Sequence, residues 1–171
     1  MNEYRQEVQD VLRVLARTPS ADNSQPWRFR VDASSLACHS LPPGMDHGLF
    51  GPLGHATLIS AGAMSESMRQ LFGEAPEMVI GDDGWALRQH FQTLPEASGV
   101  AAGKLLDRHT NRYPYAREAV SWPGFTAPTA PCPPRFGTRA ILLSDRAAIE
   151  EAGAAVRACS MARFNCRELH E

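Results

Sequence analysis

The chain has 171 residues, of which 43% are apolar and 21% charged, a composition too hydrophobic for a disordered tail. Its formal net charge of −2 argues against a dedicated nucleic-acid-binding protein, which usually carries a strong basic excess. No apolar run reaches the roughly 18 residues that a membrane span needs, and the charged first residues lack the apolar core of a signal peptide. We therefore expect a single globular domain, residues 1–171, that is cytoplasmic and binds neither nucleic acid nor membrane.

The first elements form a helix, a polar loop and a hairpin. Apolar side chains recur every three or four residues over 3–17, which predicts an amphipathic helix. Thr18-Pro19 ends this helix, because the residue before a proline is pushed out of helical geometry. After a polar loop, the alternation over residues 28–32 predicts a half-buried strand, with residues 35–40 as its hairpin partner.

The second predicted helix, residues 55–72, has no charged side chain from Ala56 to Ser65, so we expect it to be central. Its small residues 60–63 would let a flat ligand or another backbone approach closely, and tight helix packing is the alternative. Strands are predicted at Glu77–Gly81 and Ala86–Gln92, on either side of a turn. A short helix is predicted at Ala97–Arg108.

The second half of the chain contains one proline-rich segment and two predicted elements. Residues 122–134 include five prolines, which is typical of a covering loop or linker. Residues 139–143 predict a short apolar strand, and Asp145 begins a helix that is still running at Glu171.

Cysteine and histidine spacing gives no sign of a metal centre. Four cysteines, none in a C-x-x-C pair, are predicted to be reduced and partly buried thiols; they are Cys38, Cys132, Cys159 and Cys166. The eight-residue spacing of His39, His47 and His55 fits neither a zinc knuckle nor an H-x-x-x-H helix. We expect no metal site.

Three segments carry a resemblance to a known family. Residues 18–29, Thr-Pro-Ser-Ala-Asp-Asn-Ser-Gln-Pro-Trp-Arg-Phe, resemble an FMN-dependent nitroreductase motif: a small residue, Pro-Ser, two variable positions, then Asn-x-Gln-Pro-Trp. Residues 54–63 and 108–114 are similar to the Ile-Ser-x-Gly-Ala and Arg-x-Thr-Asn-Arg segments of one branch of that family. This branch includes two-lobed proteins, and related segments occur fused to E1-like adenylating domains.

The resemblance implies a nitroreductase-like α+β fold, with a mixed or mainly antiparallel sheet covered by helices. It also implies an oxidoreductase that uses FMN and NAD(P)H to reduce a nitroaromatic or quinone-like acceptor. The cofactor carries that chemistry, so no side chain is nominated as acid, base or nucleophile. The residues that match the family's motifs are the candidate cofactor-binding residues: Pro19, Ser20, Asn23, Gln25, Arg108 and Arg112. Trp27 is interpreted as architectural.

The chain departs from the family pattern at both ends. Flavin-binding members carry a basic phosphate-binding segment ahead of the first helix, where this chain has only two residues. We interpret the chain as an N-terminal lobe that is truncated at its C-terminal end relative to the family. A flavin-free, catalytically inactive module for dimerisation or partner binding, for example beside an E1-like adenylating enzyme, remains the alternative. In both cases we expect a homodimer or a missing second lobe, because a half-site fold should expose an apolar face when alone.

Overall fold

The structure, a computed structural model, describes residues 2–42, 51–110, 143 and 145–164. Residue contacts divide the chain into two units, Met1–Arg112 and Tyr113–Glu171. The fold is α+β: the described residues form four α-helices and one four-stranded antiparallel sheet. The expectation of a single domain over residues 1–171 stays a prediction.

The described residues of the first unit form three α-helices and four strands. They are α1 (Asn2–Leu15), β1 (Trp27–Asp32), β2 (Ser35–Ser40), α2 (His55–Phe72), β3 (Glu77–Gly81), β4 (Gly84–His90) and α3 (Val100–Asp107). The predicted bounds of β2, α2 and β3 are confirmed, and the other elements of the first unit differ at their ends by one to three residues. For example, α3 begins at Val100 because the Gly99 N–H bonds the Glu96 carbonyl at 3.1 Å, which keeps the preceding residues in a turn.

The sheet has the strand order β1-β2-β4-β3, and every neighbouring pair is antiparallel. The prediction of a mainly antiparallel sheet is therefore confirmed. Two hairpins, β1-β2 and β3-β4, meet along the β2-β4 contact, where Cys38 lies opposite Leu87. Among the described residues, strands β1 and β3 form the two edges of this sheet.

Helices pack on one face of the sheet and create the core of the first unit. Because side chains alternate along a strand, one face carries the buried row Trp27, Leu36, Cys38, Trp85 and Leu87. These residues form one cluster with buried apolar side chains of the helices, among them Val11, Leu15, Ala61, Met64 and Met68. The opposite face carries polar side chains, including the exposed Arg30, Arg88 and His90. Trp27 is 7% exposed, which agrees with its predicted architectural role.

In the second unit the structure describes helix α4 (Arg146–Phe164) and two residues before it. Asp145 begins this helix, as predicted: its carboxylate accepts a hydrogen bond from the Ala148 N–H at 2.9 Å, which is the usual N-cap geometry. Arg146 and Glu150 then form an ion pair one turn apart. The proline-rich segment 122–134 and the predicted strand, apart from Leu143, lie outside the described residues.

The described cysteines differ in their environments. Cys38 is buried in the sheet and Cys159 is exposed on α4, and both thiols are free. The prediction of partial burial is wrong for Cys159, because almost every residue around it on α4 is exposed. Cys132 and Cys166 lie outside the described residues.

The described residues include neither a membrane-spanning helix nor a metal-binding cluster. None of the described helices combines the length and hydropathy that crossing a membrane requires. Among the described residues, no cluster of three or more His, Cys, Asp or Glu side chains could hold a metal ion; His47 is not among them.

Candidate functional site

The loop that resembles the family's main motif begins where α1 ends. The last turn of α1 tightens, because the N–H groups of Arg17 and Thr18 bond carbonyls three residues back, at 3.0 Å each. Thr18 is buried, and its hydroxyl donates to the Met64 sulfur at 3.7 Å. Pro19 follows it and is exposed. The chain thus leaves the helix with Thr18 held against α2.

The loop backbone adopts an uncommon conformation. Three residues that are not glycine, Asp22, Asn23 and Gln25, have φ values of 49°, 56° and 46°. Asp and Asn tolerate this left-handed region, whereas glutamine rarely adopts it, and such a conformation costs on the order of 1–3 kcal/mol. Surrounding contacts must therefore hold the loop in place, and backbone strain of this kind concentrates at functional sites.

Ser20 and Gln25 supply those contacts. The Gln25 N–H donates to Ser20 Oγ at 3.0 Å, and Gln25 Nε2 donates to the Ala16 carbonyl at 3.1 Å. The Trp27 N–H in turn bonds the Gln25 carbonyl at 2.7 Å. These bonds tie the loop to the end of α1 and to the start of β1, while Asn23 remains exposed at its tip.

Helix α2 contacts the same loop through Ser60, which is 2% exposed. Its hydroxyl accepts a hydrogen bond from the Ala21 N–H at 3.3 Å and donates to the Ala56 carbonyl at 2.8 Å. Ala61 is buried in the core, whereas a Cβ atom placed on Gly62 would meet nothing within 4 Å. Within the described residues, the tight-packing interpretation of residues 60–63 therefore holds at Ser60 and Ala61 and is wrong at Gly62.

Arg108 meets the loop from the end of α3. Its Nε donates to the Arg17 carbonyl at 3.1 Å, and Arg17 Nη2 reaches the Leu106 carbonyl at 3.5 Å. The two arginines therefore link the last turn of α1 to the last turn of α3. Arg112, the second predicted cation, lies outside the described residues.

The structure thus brings the three motif segments to one place. Residues 16–25 are contacted by Ser60 of the second segment and by Arg108 of the third. Of the predicted site residues, Ser20, Gln25 and Arg108 join this network, whereas Pro19 and Asn23 are exposed beside it. We refer to this set of contacts as the motif junction. Sequence reasoning did not nominate Arg17, although its position directly before Thr18-Pro19 places it beside the loop.

The side chains at the motif junction retain some capacity for hydrogen bonds. A serine hydroxyl that accepts one hydrogen bond still has its hydrogen to donate. An arginine has five N–H donors, and the contact between Arg108 and the Arg17 carbonyl uses one of them, the Nε–H. The Asn23 side chain can donate and accept, and guanidinium groups suit a phosphate. The side-chain types present, a hydroxyl at Ser20, an amide at Asn23 and guanidinium groups at Arg17 and Arg108, are therefore chemically compatible with FMN.

Two clefts of the first unit are lined mainly by residues outside the motif junction. One, of about 640 Å³, is lined by α1, by residues 93–98 and by Leu106, and its ionisable side chains are three carboxylates and one guanidinium. The other, of about 570 Å³, lies at the β3-β4 turn and includes Asp82, Asp83 and His39. An excess of carboxylates disfavours a phosphate, so neither of these clefts suits the phosphate of FMN.

The clear pKa shifts among the described residues occur at two places outside the motif junction, Cys38 and the Glu66–Arg69 pair. Burial raises the pKa of the Cys38 thiol, because the thiolate would be desolvated. Hydrogen bonds from Arg69 and Gln70 lower the pKa of Glu66 to about 2. Both have structural causes, and neither identifies a catalytic acid or base.

Comparison of the chain with family models, with curated proteins and with solved structures gives no match.

Proposed function

We propose that this chain is a nitroreductase-like oxidoreductase domain that binds FMN at the motif junction. The observation that carries the proposal is the convergence of three separate segments. Ser60 lies 39 residues from Ala21 in the chain, and Arg108 lies 91 residues from Arg17, yet both contact one loop. Segments that each resemble the same flavin-binding family, and that meet around a strained loop, support a shared site.

The chain's own residues would bind and orient the cofactor. The Ser20 hydroxyl and the Asn23 amide are suited to the polar atoms of the flavin, and Arg17 and Arg108 supply positive charge for its phosphate. Bound FMN would supply the redox chemistry, a two-electron transfer from NAD(P)H to a nitroaromatic or quinone-like acceptor. The protein would hold the ring and limit its contact with water.

A fluorescence titration of the full chain with FMN tests the proposal. We expect quenching with saturable binding, and a weaker affinity for the double variant Ser20→Ala/Asn23→Ala. Each lost hydrogen bond is worth about 1 kcal/mol, so the dissociation constant should rise roughly 25-fold or more. Ser24→Ala is the matched control, because Ser24 is an exposed serine of the same loop. An unchanged affinity in the double variant would show that this loop does not bind flavin.

A flavin-free module is the second candidate, and a specific observation favours it. The loop is already held by its own groups, since Ser20 binds the Gln25 N–H, and Arg108 binds the Arg17 carbonyl. Because these contacts are made by the chain's own groups, the loop could keep its conformation in a domain that acts in dimerisation or partner binding, including the proposed association with an E1-like adenylating domain or a second lobe. For such a module, FMN would give neither quenching nor a thermal shift.

A further inference from the structure

The outer edge of β3 is the most exposed apolar feature of the sheet. All five residues of this strand are exposed, and its three central side chains, Met78, Val79 and Ile80, are 41%, 53% and 52% exposed. Within the described residues, no strand pairs with this edge. Natural edge strands are usually protected by charges, prolines or bulges, and the opposite edge, β1, carries Arg28, Arg30 and Asp32. Glu77 is the one charged residue of β3.

The backbone groups of Met78 and Ile80 face this outer edge. On β4 the Trp85 N–H donates to Ser40 Oγ at 3.2 Å, and past its end the Phe91 N–H donates to the Ser34 carbonyl at 3.0 Å. The backbone N–H and C=O groups of the odd-numbered residues of β4 therefore face β2, and those of its even-numbered residues face β3. Val79 lies opposite Ala86, so the backbone groups of Val79 face β4. The backbone groups of its two neighbours face the outer edge.

We propose that β3 is a self-association surface, on which a second copy of this chain pairs its own β3 in antiparallel orientation about a two-fold axis at Val79. In this register Met78 of one copy lies opposite Ile80 of the other. Each such pair can exchange both backbone hydrogen bonds, because both residues have outward-facing groups. The two sheets would join into one continuous sheet.

Side-chain chemistry favours this register. Met78 and Ile80 lie on the helix-covered face, beside the buried Leu87 and Trp85, so the new pairs would extend the buried apolar row. On the sheet face that the helices do not cover, Val79 of one chain would lie opposite Val79 of the second copy. Glu77 would lie opposite Gly81 of the second copy, so no like charges would be directly opposed.

Neighbouring registers are less suitable. A shift by one residue pairs an outward-facing residue with an inward-facing one, and the backbone hydrogen bonds are lost. Centring the pair on Met78 places Ile80 opposite Pro76, which has no N–H to donate. Centring it on Ile80 places Glu77 opposite Asp83, which sets two carboxylates against each other. The strand is therefore self-complementary in one arrangement.

Sedimentation velocity of the full chain without FMN tests the surface independently of the proposed function. We expect a concentration-dependent dimer whose dissociation constant rises at least about tenfold in Val79→Lys, because two ammonium groups would be directly opposed. Ile59→Lys on α2 is the matched control, since Ile59 is 74% exposed and lies away from the sheet edge. A monomer at all concentrations, or a dimer that Ile59→Lys dissociates and Val79→Lys does not, would overturn the proposal.

Cross-linking gives a second test that does not depend on the stability of a charged variant. In a Cys132→Ser/Cys159→Ser/Cys166→Ser background that retains the buried Cys38, Val79→Cys should form a disulfide-linked dimer. The two Cα atoms of a non-hydrogen-bonded pair are about 4.5 Å apart, within disulfide range. In Glu77→Cys the two introduced thiols would lie about 13 Å apart along the strands and should not link. Equal cross-linking of the two variants, or none in Val79→Cys, would contradict the register.

Discussion

Ser60→Ala tests most directly whether helix α2 stabilises the loop of the motif junction. Ser60 Oγ accepts the Ala21 N–H and also donates to a carbonyl one turn back on α2. Removing the hydroxyl leaves the Ala21 N–H without this partner, which should cost about 1 kcal/mol of the free energy of unfolding. The lost bond to the helix carbonyl costs little, because that carbonyl keeps its helical partner.

Ser67→Ala is a close control on the same helix. Ser67 is also buried, and its hydroxyl also donates to the carbonyl four residues back, at 3.0 Å. Both variants gain up to about 0.5 kcal/mol of helix propensity, and only Ser60→Ala loses a bond to the loop. The difference between the two free energies of unfolding therefore isolates the contact with Ala21.

Urea denaturation followed by circular dichroism measures this difference. We expect Ser60→Ala to be about 1 kcal/mol less stable than Ser67→Ala, with equal slopes against urea. Under the proposed function, the loosened loop should also weaken FMN binding in Ser60→Ala and leave it unchanged in Ser67→Ala. Stabilities that agree within about 0.3 kcal/mol would show that α2 does not hold the loop.

Three further predictions concern other parts of the first unit and α4. Arg108→Lys should lower the thermal midpoint, because lysine cannot reproduce the planar donor on the Arg17 carbonyl; an unchanged midpoint would show that this contact is not stabilising. Iodoacetamide should label Cys159 in the native protein and Cys38 only after unfolding, since burial raises the Cys38 pKa; mass spectrometry of the labelled peptides checks both, and equal labelling would contradict the burial of Cys38. The pKa of Glu66, lowered to about 2 from 4.5, contributes stability that is present above pH 4.5 and lost as the pH falls toward 2. Because Glu66 is exposed, this is worth no more than about 0.5 kcal/mol, so the difference in stability between Glu66→Gln and the wild type should shrink over that interval; a constant difference would refute the shift.

Regular elements of the first unit could be predicted from sequence because their signals are local. Helix α2 ends at Phe72 because Gly73 adopts a left-handed cap with φ of 83°, which glycine permits at no steric cost. Strand β4 begins at Gly84, two residues before its predicted start, since the turn needs only Asp82 and Asp83. Such boundary differences arise where a turn can use one residue more or fewer.

The geometry of the motif junction could not be predicted in the same way. The left-handed conformation of Gln25 depends on acceptors at Ser20 and Ala16, and a propensity scale assigns no such state to glutamine. The contact between Arg108 and the Arg17 carbonyl joins residues that lie far apart in sequence, so it follows from packing and not from a local pattern. Sequence resemblance identified the loop, and tertiary contacts determine which of its polar groups are already engaged.

We propose above all that the motif junction holds a redox-active flavin. The most direct measurement is an anaerobic absorbance titration of the full chain loaded with FMN, first with NADPH and then with NADH. We expect the oxidised flavin band to bleach at a rate well above that of free FMN, and to return when a quinone is added. A chain that does not retain FMN through gel filtration, or whose flavin is reduced no faster than free FMN, would contradict the claim and favour the flavin-free module.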